Sequence, residues 1–512
     1  MKNTFIISLK KDSNNCFKTI KECLKYIKDN IDSFDEIEIL FDDGIHYLNE
    51  SIVFGPWTKN KPITISSLNN NKATISGGKV ITNFKSDDSK VYYADCDLDN
   101  VRNAFISGER RVLSREPNGD NFDNISGWVD ENHTRVRVKK ELLKGAKKFE
   151  AIFYLEWSQC VLRIRDIIDE GDTVILVPEE NEDLYLNRHK FHPVQIRNDM
   201  LIRFQNAKEF LDEPGEFYFD KNEKRLYYIP LPDEDMSNLE MVVPNVESIF
   251  LIKGTKSKMV KNITIKDLTL EYSLFKDICD KGYMEIQACH YAVDYDKTNY
   301  PLFNNPNGLI HAEYAKNITV DGVTVKHSSG NGINYCIGVS NSKIINSNIY
   351  DSSASSVVVG PCVSSKSDGN FILLPEDKRI TVHHIDIINN YIGSSGEEFS
   401  RSPSLLNVLG HHINMMHNEI AFGNYTGISN GWGWSLKDFI VSHNIIACND
   451  IHHIGMRGSD LGGIYNLNNQ KRTKILNRPS GSCTRWGRRY SAQAITPTFT
   501  RWQQRMVPAK RR

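Results

Sequence analysis

The amino-acid sequence predicts an all-β chain, a right-handed parallel β-helix with an N-terminal capping helix and an inserted β-rich module. Three observations predict it. An internal repeat recurs with a period in the twenties, lengthened where polar insertions intervene, each repeat holds two short strands around a polar corner, and only one stretch has helical periodicity.

The repeat is plain from about residue 260. Asn262-Ile263-Thr264-Ile265, Asn317-Ile318-Thr319-Val320, Lys343-Ile344-Ile345-Asn346, His412-Ile413-Asn414-Met415 and His443-Asn444-Ile445-Ile446 share one alternating pattern. Ile318 to Ile344 and Asn418 to Asn444 are each 26 residues. A period in the twenties with short strands and no helices means one solenoid coil per repeat. Its Ile, Val and Leu then stack inward and its Asn stack at the corners. A β-sandwich would need a hairpin turn every ~8–12 residues, and a leucine-rich repeat would show a Leu scaffold.

Ahead of the coils, Phe17, Ile20, Leu24, Ile27 and Ile31 recur at spacings of three and four, predicting a helix within 12–34. One amphipathic helix before many strands suits a cap over the open solenoid edge. The predicted organisation is a cap and first coils over 1–108, an inserted module over 109–245 and the main coils over 246–477. Within the module, Gly215 to Pro230 reads as a hairpin.

Residues 478–512 are different in kind. Residues 471–512 hold 12 of the 63 Lys and Arg, nine of them Arg, and no Asp or Glu. The coil pattern stops at Arg478-Pro479-Ser480, which reads as a departure from the native sequence or as a basic tail for an acidic partner. Residues 1–470 carry 51 basic and 64 acidic residues, a net −13, which argues against nucleic acid as a partner. No apolar run is long enough for a signal peptide or a membrane span, so cytoplasmic placement without a membrane partner is expected. Ten scattered cysteines without a C-x-x-C pair read as reduced thiols, with neither metal nor cofactor expected.

The landmarks resemble bacterial β-helix proteins of glycoside hydrolase families 141 and 120, with the pectin-lyase-like fold. Phe17 to Ile20, Asp42-Asp43-Gly44-Ile45-His46-Tyr47-Leu48 and Ile75-Ser76-Gly77-Gly78 look like the opening coils. Pro214 to Asp220 with Leu226 to Pro230, Tyr425 to Trp434, and Asp460-Leu461-Gly462-Gly463-Ile464-Tyr465 look like later motifs. The resemblance covers roughly residues 15–477. It implies a hydrolase acting on polysaccharide or oligosaccharide through two carboxyl groups.

Several residues could carry that chemistry. Asp460 lies among glycines in Arg457-Gly458-Ser459-Asp460-Leu461-Gly462-Gly463, which leaves its carboxylate uncovered; it is equally a residue type that caps tight corners. Trp432 and Trp434, two apart on a strand, could present indoles to a sugar or fill a wide coil. Tyr425 and Tyr465 carry the same two readings. His452, His453 and Arg457 could bond sugar hydroxyls or a uronate, although solvated histidine is the commoner state. Glu397 and Glu398 are alternative carboxylates, with Asp294, Asp296 and Asp351 behind them. A glycosidase needs two carboxyls, about 5–5.5 Å apart to retain configuration or about 6.5–9.5 Å apart to invert it. The resemblance implies a second acid one or two coils past Asp460, where this chain has none, so an incomplete pair is expected.

Two other functions fit the fold. A pectate-type lyase would use Ca²⁺ held by clustered carboxylates and an Arg or Lys base, and no such Asp cluster is evident. A non-catalytic glycan-binding or structural β-helix would need neither carboxyl. The pattern leaves oligomeric state open.

Overall fold

The computed structural model describes residues 2–10, 15–86, 90–188, 197–295, 301–361, 377–433 and 439–476, together with two short strands at 482–485 and 488–491. Three parallel sheets run the length of a solenoid. The first has eleven strands, from Cys16–Phe17 and Lys2–Ile7 at one end to Lys474–Leu476 at the other. The second and third have eight each, ending at Asp450–His452 and Ile464–Asn466.

The register shows why this sequence winds this way. Ile39, Ile65, Ile265, Val320, Ile344, Ile387, Met415 and Ile446 pair in succession across the first sheet, one per coil. All are buried, while most of their chain neighbours are more exposed. Each such side chain contributes about 1.5–3 kcal/mol by leaving water. At a corner, the Asn390, Asn418 and Asn449 side chains form a buried ladder. Each side-chain oxygen accepts the backbone N–H of Ser347, Asn390 or Asn418 on the preceding coil at 3.0 Å. The ladder satisfies backbone donors that the turn would otherwise leave buried and unpaired.

The capping helix is shorter than its periodic stretch. It spans Ile20–Asp29, with Thr19 accepting the Glu22 N–H at 3.2 Å and Ile20, Cys23 and Ile27 buried. Phe17 belongs instead to the strand Cys16–Phe17, paired with Ile7. Among the described residues no helix is long and apolar enough to cross a membrane.

The first sheet passes directly from Ile63–Ser67 to Val260–Lys266, pairing Ile63 with Ile263. Between them, Ala73–Ser76 and Phe250–Lys253 still belong to the second and third sheets, and the residues in between form an excursion that leaves at Gly78–Ile81 and returns through Met241–Pro244. It therefore begins ahead of residue 109. The excursion builds mostly antiparallel sheets with their own apolar core around Phe149, Phe204 and Phe210. A second excursion joins it, because Tyr283–Gln287 pairs with Gln159–Asp169. The module is thereby pinned against the turns between the second and third sheets. Residues 482–485 and 488–491 form an antiparallel pair unlike the coils.

Candidate functional site

From Tyr272 onward the second sheet ends each coil in a left-handed residue followed, on four coils, by serine. Tyr272, His327, Asp351, Ser394, Phe422 and His453 occupy this corner on successive coils, with φ between 44° and 62°. Left-handed non-glycine residues are uncommon, and an unbroken column of them marks a constrained corner that turns its side chains outward. The serines behind it are buried; Ser273 and Ser328 bond through their hydroxyls at 2.9 Å.

Asp351 is the charged centre of this column. The module's Arg110 reaches it, donating from Nε at 3.1 Å and Nη2 at 3.0 Å to Oδ1. His327, one coil back, places Nδ1 2.5 Å from Oδ2. Burial pushes the Asp351 carboxyl up, but the Arg110 charge and the His327 bond outweigh it and hold the group at about 2. Asp351 is therefore ionised at any ordinary pH.

Glu397 arrives at the same corner from the next coil. Its backbone N–H donates to the Ser352 carbonyl at 3.1 Å, so it stands beside Asp351 across one strand spacing. No hydrogen bond from the described residues holds its half-buried carboxyl. Burial, reinforced by the negative charge of Asp351, pushes it above the usual carboxylate range against the pull of Arg110 and Arg457. Its chain neighbour Glu398 has another task. Glu398 pairs with the buried Arg102, which also grips Glu150 at 2.5 Å, and Asn103 donates to it at 3.2 Å. The two adjacent glutamates are thus divided between an open carboxyl and a structural ion pair.

Asp460 lies further along the same loops, also left-handed at φ 56°. Its carbonyl accepts the Tyr425 hydroxyl at 3.0 Å, and its neighbour Ser459 donates to the Glu156 carbonyl of the module at 3.3 Å. Burial first, and the Glu156 charge second, raise its carboxyl. Arg457 is exposed, 3.7 Å from Asp120, and its carbonyl accepts from the buried Arg401 at 2.8 Å. The N–H groups of Arg457 and Gly458 donate to Asn424, and the Asn424 side chain donates to Gly396. The loops bearing Glu397, Tyr425 and Asp460 are therefore stitched edge to edge.

The expected aromatic platform is corrected. Trp432 is 3% exposed and stacks on buried His290 at 4.1 Å, so it fills the interior. Trp434 lies outside the described residues, as does Asp296. Tyr425 is also buried and supports the Asp460 loop, and Tyr465 is half-buried beside Ser429. His452 contacts Glu419 at 3.4 Å, and its Nδ1 lies 2.8 Å from that of His453. His453 stacks on Phe422 at 5.2 Å. The structure places other carboxyl groups, Asp351, Glu397 and Glu156, on the loops around Asp460, all before it in the chain. Sequence reasoning missed Arg110, His327 and Phe422, and placed Asp351 among the weak candidates. A signal for Asp351 existed in the recurring pairs Tyr272-Ser273, His327-Ser328, Asp351-Ser352 and Ser394-Ser395. Arg110, 241 residues away, carries none. Among the described residues no group of three or more His, Cys, Asp or Glu is arranged to hold a metal ion.

Comparison with known proteins adds to this geometry. The profile of the GH141 insertion domain matches residues 85–231, which lie within the excursion. A solved structure described as a glycoside hydrolase superposes with a TM-score of 0.82 at 22% identity, covering 93% of this chain and 88% of that one. A complex of XylC with xylose gives a TM-score of 0.42 at 11% identity, covering 94% of this chain and 70% of that one. No curated protein matches the chain. The chain thus shares the fold of a solved glycoside hydrolase and carries a segment similar to the GH141 insertion domain.

Proposed function

We propose that the chain is a glycoside hydrolase acting on a polysaccharide or oligosaccharide bound along the corner of the second sheet. One observation carries the reading. Two carboxyl groups on neighbouring coils have their pKa values driven apart, Asp351 downward by Arg110 and His327, Glu397 upward by burial and by Asp351 itself. Such a division supplies an acid and an ionised partner in one site. Glu397 protonates the leaving glycosidic oxygen. Asp351 meets the charge developing on the sugar, directly or through a water. Arg110 and His327 fix its rotamer and keep it ionised. The match to the GH141 insertion domain supports the substrate class, because the matched segment supplies Arg110.

A second reading assigns catalysis to Asp460 with Glu156, favoured by the free, burial-raised carboxyl of Asp460. Reducing-end release from a polysaccharide panel by the wild type, Glu397→Gln and Asp460→Asn separates them. Loss of about 10²–10⁴-fold in the first variant with activity kept in the second supports Glu397. The reverse pattern supports Asp460. An unsaturated uronide chromophore in the products would instead indicate a lyase.

A further inference from the structure

We propose that Phe422 and His453 form a sugar-stacking subsite, so that a bound glycan runs along the solenoid axis away from Asp351. The proposal rests on the hydrolase reading for its orientation and on separate geometry for its chemistry. The left-handed column is covered by the module at one end and, among the described residues, is more open to water at the other. Phe105 of the module packs on Tyr272 at 4.9 Å and on His327 at 5.0 Å, and Arg110 sits on Asp351. Tyr272 is 5% and His327 6% exposed.

Beyond Asp351 the cover ends. Phe422, two coils on and roughly 10 Å away at the usual strand spacing, is 47% exposed. Its ring is not idle surface. It lies nearly parallel to His453 at 5.2 Å and 23°, and edge-on to His452 at 5.9 Å. The αL backbone at both residues turns these rings out of the sheet, and register with Asp351 sets them in line with the reacting centre.

A large apolar ring held out to water beside carboxyl groups fits a ligand with an apolar face and a polar rim. The C–H face of a pyranose, with hydroxyls around its edge, has that chemistry. Glu419, 3.4 Å from His452, offers an acceptor for those hydroxyls beside the platform. A monosaccharide glycoside at Asp351 and Glu397 would not reach Phe422, whereas an oligosaccharide would.

The test measures calorimetric binding in the Glu397→Gln protein, using neutral xylo-, manno- and gluco-oligosaccharides of graded length and the corresponding methyl monoglycosides. Phe422→Ala is expected to weaken oligosaccharide binding about tenfold and leave monoglycosides within about twofold, with Phe422→Trp restoring affinity. Unchanged oligosaccharide affinity in Phe422→Ala overturns the platform, as does equal loss for both ligand classes or absence of binding across the panel. Wild-type reducing-end release is read separately. Binding without release removes the hydrolase reading and leaves the platform standing.

Discussion

Arg110 and Asp351 are joined across the boundary between module and solenoid, two guanidinium nitrogens lying 3.1 and 3.0 Å from one carboxylate oxygen. The link makes the module part of the site rather than an appendage. Removing it by Arg110→Met leaves Asp351 with burial, which raises its pKa, and only His327 to oppose it. The acidic limb of the pH–rate profile should move upward from about 2 towards or beyond the ordinary value near 4. An unmoved limb with a uniformly lowered rate would mean that Arg110 acts elsewhere.

The same pair makes a stability prediction with a definite sign. The folded pKa of Asp351 is depressed, so its contribution is present above its unfolded value of 3.8 and lost as pH falls towards about 2. Asp351→Asn should unfold more easily than wild type at pH 6, and the gap should narrow below pH ~3. Chemical denaturation at the two pH values reads this directly.

Arg102, 2% exposed, ties Glu150 of the module to Glu398 of the solenoid. Replacing it by Met strands two carboxylates with little solvent and should cost about 3–5 kcal/mol. The unfolding midpoint should fall while the pH profile of whatever activity remains keeps its shape. A displaced profile would implicate Glu398 in chemistry.

A histidine array occupies another corner. His384, His412 and His443 stack at 4.6 and 4.5 Å, and His383 stacks on His411 at 5.2 Å. Burial and then the neighbouring His383 and His412 lower His411 to about 4. The folded state therefore resists protonation, and stability should be full above the unfolded value near 6.5 and decline as pH falls to about 4. Allowing for solvent screening, the decline from His411 amounts to about 1–2 kcal/mol. His411→Asn should flatten the dependence between those limits in thermal unfolding.

The solenoid was legible because its signal is local and repeated. A residue such as Ile344 declares its inward orientation through its neighbours and through its counterpart Val320 one coil back, 24 residues earlier. The 26-residue spacing from Ile318 to Ile344 therefore overshoots the true coil by two residues. The corner asparagines declare themselves in the same way. The capping helix came out shorter than its periodicity, because Phe17 gains more by pairing with the first strand than by extending the helix. The site was legible only in part. Glu397, Asp460 and the paired histidines stood out by composition, but the contrast between Glu397 and Glu398 depends on Arg102, nearly 300 residues from Glu398. Trp432 misled because an indole at period 2 looks the same from either face of a strand, and only burial against His290 decides.

The most direct measurement is the pH dependence of reducing-end release by wild type and Glu397→Gln on one cleaved glycan. The wild type is expected to show a bell, rising as Asp351 ionises and falling above the raised pKa of Glu397, and the variant near-complete loss. A Glu397→Gln protein that retains the wild-type rate and the same alkaline limb would contradict it.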